Sequence, residues 1–143
     1  MNREPIFRVD LRGFEPHVLG TGKGHKIEVK RSLRNAILQK VGPAGIEKAR
    51  RRLDGSGLSV TVDFYLWKGA PGVTETRRKK DIDNLLKTVL DVIQSDLDNT
   101  TRGKGLGLID DDNEVWEINA RKRLVESEAE EGISITIYRN GET

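Results

Sequence analysis

Two short acidic motifs contain the residues of this sequence best suited to chemistry. In the first, Asp81 and Asp83 are followed by Lys87. In the second, the run Asp110–Asp112 is followed by Glu114. Magnesium prefers hard oxygen ligands, commonly one or two carboxylates together with waters and substrate phosphates. A cation would also relieve the repulsion among the consecutive acids, so both motifs are candidate metal-binding segments.

These residue types are the ones that metal-assisted cleavage of a phosphodiester requires. The cation polarises the phosphate, makes hydroxide available and stabilises the leaving oxygen. A lysine near the same phosphate adds charge where the transition state is most negative, and Lys87 is placed for that task. A glycine-containing basic segment precedes the first motif, and its predicted nucleic-acid contacts are Lys68, Arg77, Arg78, Lys79 and Lys80.

Each feature also has a structural interpretation. Asp81 or Asp83 can cap a helix or complement its dipole, which stabilises a protein by about 0.5–2 kcal/mol. Asp83 and Lys87 can form a surface i,i+4 ion pair that contributes roughly 0.2–0.5 kcal/mol. Acidic runs and basic loops are commonly solvated surface segments. The occurrence of all these features in one chain, in this order, favours a metal site directed at phosphates.

Hydrophobic periodicity predicts the elements that position the motifs. Residues 58–66 alternate between apolar and polar side chains, which predicts a half-buried strand. Apolar residues three or four apart over 82–97 predict an amphipathic helix that begins near Ile82, with Asp81 at its cap and Asp83 in its first turn. The other predicted elements are strands over 6–11, 115–124 and 133–138 and helices over 28–41 and 44–53. The last two strands are expected to form a hairpin, joined by an acidic turn.

The resulting order, β-α-α-β-α-β-β, predicts an α+β fold with four strands and about three helices. At 143 residues, without an internal repeat or a shift in composition, the chain is expected to form a single domain over 1–143. The sequence contains no cysteine, which excludes disulfides and thiolate metal sites and fits a cytoplasmic protein. No apolar run approaches the roughly 18 residues of a membrane helix, so no membrane association is expected.

The distribution of charge is more informative than its sum. The 25 basic and 23 acidic residues leave a net charge of only +2. The charges are nevertheless segregated into basic and acidic segments, as in a phosphate-binding protein with a carboxylate metal site.

The first motif resembles a family signature. Residues 81–87 read D-x-D-N-x-x-K, preceded by basic residues and followed on the same helix by Asp91. This pattern is similar to the signature of the RusA family of Holliday-junction resolvases. The acids before Val115 resemble the second motif of that family, and the resemblance covers about residues 58–138.

The resemblance implies a small mixed sheet with helices, a homodimer, and magnesium-dependent paired nicks across a four-way DNA junction, with manganese as the alternative ion. By position, Asp81, Asp83 and Asp112 match the catalytic, metal-binding acids, and Lys87 matches the catalytic lysine. Asp111 is the alternative to Asp112, because the additional acid at the start of the run permits a shift of one residue. The implied enzyme is an endodeoxyribonuclease of DNA recombination and repair.

Two other classes of function are compatible with the sequence. A non-catalytic nucleic-acid-binding relative with a regulatory role would bind DNA without divalent-dependent cleavage. A structural or interaction protein, whose charged patches merely pair two subunits, would form a salt-sensitive dimer without affinity for DNA. The presence of the complete set of acids together with Lys87 favours the enzyme.

Overall fold

The computed structural model of the chain describes residues 4–14, 26–53, 57–69, 82–94, 105–109 and 114–140. Within these ranges the fold is α+β, with three α-helices and a mixed four-stranded sheet, in the predicted order β-α-α-β-α-β-β. The elements are β1 (Phe7–Arg12), α1 (Lys26–Val41), α2 (Pro43–Arg52), β2 (Leu58–Trp67), α3 (Ile82–Ile93), β3 (Val115–Val125) and β4 (Gly132–Arg139), with a 3-10 turn (Glu128–Glu130) before β4.

The helix boundaries follow from residues that stop or start a helix. Gly42 separates α1 from α2 and has a φ of 84°, a left-handed conformation that favours glycine. Pro43 then occupies the start of α2, where its fixed φ is suitable and its missing N–H is not needed. The described part of α3 ends at Ile93, and Leu97, the last residue of the predicted apolar stripe, lies outside the described residues.

The strand order in the sheet is β1-β4-β2-β3. Strands β2 and β3 are parallel, whereas β4 is antiparallel to both of its neighbours, β1 and β2. The predicted hairpin between the last two strands is therefore wrong, because β2 lies between them. The physical reason is the difference in their side chains: Ile133, Ile135 and Ile137 of β4 are fully buried, whereas β3 is charged and occupies an edge, where charge is tolerated.

One hydrophobic core joins the helices to one face of the sheet. Its central side chains, all fully buried, come from α1, α3, β2 and β4: Leu33, Ile37, Leu85, Val89, Val60, Val62, Phe64, Ile133 and Ile135. Alternation along β2 places Ser59, Thr61, Asp63 and Tyr65 on the opposite face. None of the described helices combines the length and apolar character needed to cross a membrane.

Candidate functional site

The start of α3 presents two of the predicted site residues to solvent. Asp83 lies in the first turn and Lys87 one turn later, and both are exposed. Leu85 and Val89, on the other side of the helix, are fully buried in the core. Because this side of α3 is anchored in the core, Asp83 and Lys87 point outward, as the apolar periodicity of the helix predicted. Asp81, the first acid of the motif, lies outside the described residues.

Asp83 and Lys87 occupy positions i and i+4 of α3. Helical geometry places the two side chains on one face, about 5–6 Å apart at their Cβ atoms. They therefore lie close enough to act on the same ligand.

Asp91, one further turn along α3, has a different role from Asp83. Its Oδ2 lies 2.9 Å from Nζ of Lys30 on α1, and only 27% of the Asp91 side chain and 11% of the Lys30 side chain are exposed. A lysine this buried needs a counter-charge. Asp91 therefore holds α1 against α3, which the sequence pattern did not indicate because the crossing of these helices is a tertiary feature.

The second acidic motif, Asp110–Asn113, lies outside the described residues, but both of its flanks are described. Before it, the amides of Leu108 and Ile109 donate to the carbonyl of Ile93 at 2.9 and 3.3 Å, so this segment lies against the C-terminal end of α3. After it, Glu114 is partly buried and immediately precedes β3.

Arg50 of α2 fixes the approach to the second motif. Its Nε donates to the carbonyl of Gly107 at 2.8 Å, and its Nη2 donates to the carbonyl of Leu106 at 3.0 Å. Gly107 has a φ of 68°, a conformation that favours glycine. Sequence reasoning did not identify Arg50 because its acceptors are backbone carbonyls more than fifty positions away.

The described flanks of the two motifs lie at opposite ends of α3. The first motif leads into Ile82, and the second follows residues bonded to Ile93. With a rise of 1.5 Å per residue, these two ends are roughly 16 Å apart.

Most of the other predicted site residues lie outside the described ranges. Among the described residues, no three acidic or histidine side chains come together as a metal-binding group. Asp83 is the one predicted ligand that is described, whereas Asp81, Asp112 and its alternative Asp111 lie outside the described ranges. The basic residues Arg77, Arg78, Lys79 and Lys80 also lie outside them.

Lys68, at the start of the predicted basic segment, is described. It follows β2 directly, and its Nζ lies 2.7 Å from Oε1 of Glu126, a carboxylate just after β3. Both side chains are at least half exposed, so the contact is a surface ion pair that ligand phosphates can replace at low cost. Lys68, the first residue of the basic segment, therefore lies at the edge of the sheet where the parallel strands β2 and β3 both end.

An arginine cluster on the open face of the sheet was not predicted. Asp63 of β2 is only 8% exposed and accepts from Nε of Arg121 at 2.9 Å and Nε of Arg123 at 3.2 Å, both on β3. On the same face, the guanidinium of Arg12 lies 3.8 Å from the ring centroid of Tyr65. The arginine side chains remain about half exposed, so this face offers planar donors to an anionic ligand.

The chain was compared with models of known protein families and with curated protein sequences, and neither comparison found a match.

Proposed function

We propose that this protein is a magnesium-dependent endodeoxyribonuclease that resolves four-way DNA junctions by paired nicks, in DNA recombination and repair. The proposed enzyme is a homodimer of the cytoplasm, with manganese as the alternative ion. The observation that carries the proposal is the exposed face of α3, where Asp83 and Lys87 lie one turn apart in the spacing D-x-D-N-x-x-K.

The donor set suits the proposed cation. Asp81, Asp83 and Asp112, with Asp111 as the alternative, offer carboxylate oxygens, which are the ligands that magnesium prefers. Bound magnesium supplies an activated hydroxide and stabilises the leaving oxygen. Asp83 can present its carboxylate without rearrangement of the core, because the opposite side of α3 is anchored by buried residues.

Lys87 supports the proposed cleavage by its charge. Its ammonium lies one turn from Asp83 and is exposed, so a phosphate held near that carboxylate comes within its reach. Positive charge at that place stabilises the additional negative charge of the transition state. Asp91 is excluded from this role because it is already paired with Lys30.

The proposed DNA contacts combine two basic regions. The first is the predicted segment from Lys68 to Lys80, which connects β2 to the start of α3 and so leads directly to the proposed site. The second is the arginine cluster on the open sheet face. Contacts of lysine and arginine with phosphates release counterions, so affinity for junctions is expected to fall steeply with salt.

The experiment that tests this assignment compares three variants. Asp83→Asn removes a metal ligand and is expected to abolish cleavage of a labelled junction while leaving its binding intact. Lys87→Ala is expected to lower the cleavage rate by roughly a hundredfold or more, the scale for loss of one transition-state donor. Glu128→Gln, at an exposed acid on the 3-10 turn, is the matched control and should cleave normally. Magnesium-dependent nicking retained by Asp83→Asn would refute the assignment.

The second candidate is a non-catalytic nucleic-acid-binding relative with a regulatory role. The observation that favours it is the arginine cluster, since Arg12, Arg121 and Arg123 can contact phosphates without a metal. Junction binding that is lost in an Arg121→Ala, Arg123→Ala double variant, without cleavage by the wild-type protein under magnesium or manganese, would support this candidate.

A further inference from the structure

Strand β3 forms a long, open edge of the sheet. It has 11 residues, and within the described part of the chain only β2 is paired with it. Most of its side chains are exposed, and they include the large hydrophobic residues Trp116 (72%), Ile118 (43%) and Leu124 (54%). A long edge strand with exposed apolar side chains is a template for pairing with another strand.

The apolar side chains of β3 continue the core-facing side of the sheet. In the parallel register, Ile118 lies beside Val60 and Leu124 lies beside Leu66. Both β2 residues are buried, whereas their neighbours on β3 are not. The apolar face therefore continues onto β3, where Ile118 and Leu124 are exposed.

We infer that a second copy of this chain covers this edge, with the two β3 strands antiparallel about a two-fold axis at Ala120. In an antiparallel pair, residues directly opposite each other point to the same side of the sheet. A two-fold axis perpendicular to the sheet at Ala120 places Trp116 opposite the partner's Leu124.

The charges of β3 are complementary to themselves in the same register. Glu117 lies opposite the partner's Arg123, and the symmetry creates this pair twice. Ile118 lies opposite the partner's Lys122, whose aliphatic stem can cover it while the ammonium reaches water. Asp63 already balances part of the positive charge, because it accepts hydrogen bonds from both Arg121 and Arg123 within each chain.

The neighbouring registers are less favourable. An axis at Asn119 would pair Glu117 with the partner's Arg121 but would place Trp116 opposite the partner's Lys122. An axis at Arg121 would place this arginine opposite the partner's Arg121, a like-charge pair that destabilises a sheet. Of these three registers, the axis at Ala120 combines an apolar pair, Trp116 with Leu124, and an opposite-charge pair, Glu117 with Arg123, without a like-charge pair at the axis.

The resulting dimer would have one continuous eight-stranded sheet. This inference names the surface of the homodimer that belongs to the proposed function. It rests on the edge strand and not on the nuclease chemistry, so it can be tested without DNA or metal. If the chain forms this dimer but does not cleave junctions, the proposed nuclease activity is refuted and the inferred interface is retained. If the chain cleaves junctions as a monomer, the interface is refuted and the nuclease activity is retained.

Cysteine cross-linking tests the register, because the chain contains no cysteine of its own. In Ala120→Cys, the two introduced side chains face each other across the axis at a Cβ separation of about 4.5–5.5 Å, whose lower end is compatible with a disulfide. Mild oxidation is expected to convert this variant to a covalent dimer. In Ile118→Cys or Lys122→Cys alone, the paired positions are about 13 Å apart, so neither should cross-link with itself. A mixture of these two variants should cross-link.

Sedimentation analysis tests the strength of the same interface. The wild-type chain is expected to be a dimer at micromolar concentrations. Ile118→Lys would place a positive charge opposite the partner's Lys122 at two symmetric positions and is expected to weaken the dimer by about tenfold or more. Ile118→Glu, a matched change that introduces the opposite charge, should weaken it less. Circular dichroism would check that both variants are folded.

Three outcomes would overturn the inference: a wild-type monomer at high micromolar concentration, a dimer insensitive to both substitutions at Ile118, or cross-linking by Asn119→Cys in preference to Ala120→Cys.

Discussion

The ion pair between Lys30 and Asp91 gives the sharpest prediction for stability. The substitution Asp91→Asn removes the carboxylate 2.9 Å from an ammonium whose side chain is only 11% exposed. Breaking a fully buried pair costs about 3–5 kcal/mol, because an uncompensated charge is left behind. Asp91 is 27% exposed, so water can reach the site and Lys30 can extend toward it. We therefore expect a loss of about 2 kcal/mol in the free energy of unfolding.

Urea and thermal unfolding, followed by circular dichroism, measure this effect. For a chain of this size, about 2 kcal/mol corresponds to a fall in Tm of roughly 4–8 °C. Asp83→Asn is the matched control, because the same chemical change at an exposed position of the same helix should alter the free energy by no more than about 0.5–1 kcal/mol.

A double variant separates the charge from the packing. In Lys30→Met with Asp91→Leu, apolar side chains of similar size replace both charges, and stability is expected to recover to near the wild-type value or above it. A destabilisation by Asp91→Asn as small as that of Asp83→Asn would refute this reasoning, since Asp91 would then not tether α1 to α3. Normal junction cleavage by the folded Asp91→Asn variant would agree with its exclusion from the proposed site.

Three further predictions concern other parts of the molecule. A Cβ atom at Gly57 would overlap the ring of Trp116. Gly57→Ala should therefore either displace the exposed indole, which would shift the tryptophan fluorescence, or lower the free energy of unfolding by about 1–3 kcal/mol. An unchanged spectrum together with unchanged stability would contradict the contact. Arg50→Ala removes two hydrogen bonds to the segment around Gly107, so amide hydrogen exchange in that segment should become faster and the free energy of unfolding should fall by about 1–3 kcal/mol. Unchanged exchange would show that the two hydrogen bonds do not hold this segment in place. Lys68→Ala should reduce the slope of log affinity for a junction against log salt by about one, whereas an unaltered slope would remove this residue from the DNA contacts.

The order and type of the elements were predictable because they depend on local patterns. The alternation along β2 and the apolar stripe of α3 each predicted the element that the structure contains. The stripe also predicted correctly that Asp83 and Lys87 face outward. These signals need only neighbouring residues, so the sequence contains them in full.

The pairing of the strands was not predictable in the same way. Strand β4 inserts between β1 and β2, although β3 precedes it directly in the chain, and the expectation of a hairpin failed for this reason. The contacts of Asp63 with Arg121 and Arg123 depend on that pairing. Likewise, the ion pair between Lys30 and Asp91 depends on how α1 crosses α3. Each of these requires knowledge of distant contacts that local periodicity does not contain.

Incubation of the purified chain with a labelled four-way junction and a matched linear duplex, each with magnesium and with EDTA, tests the proposed junction-resolving activity. Symmetric paired nicks are expected in the junction alone, and only when magnesium is present. Intact junctions under magnesium and manganese, at protein concentrations that bind all of the DNA, would contradict it.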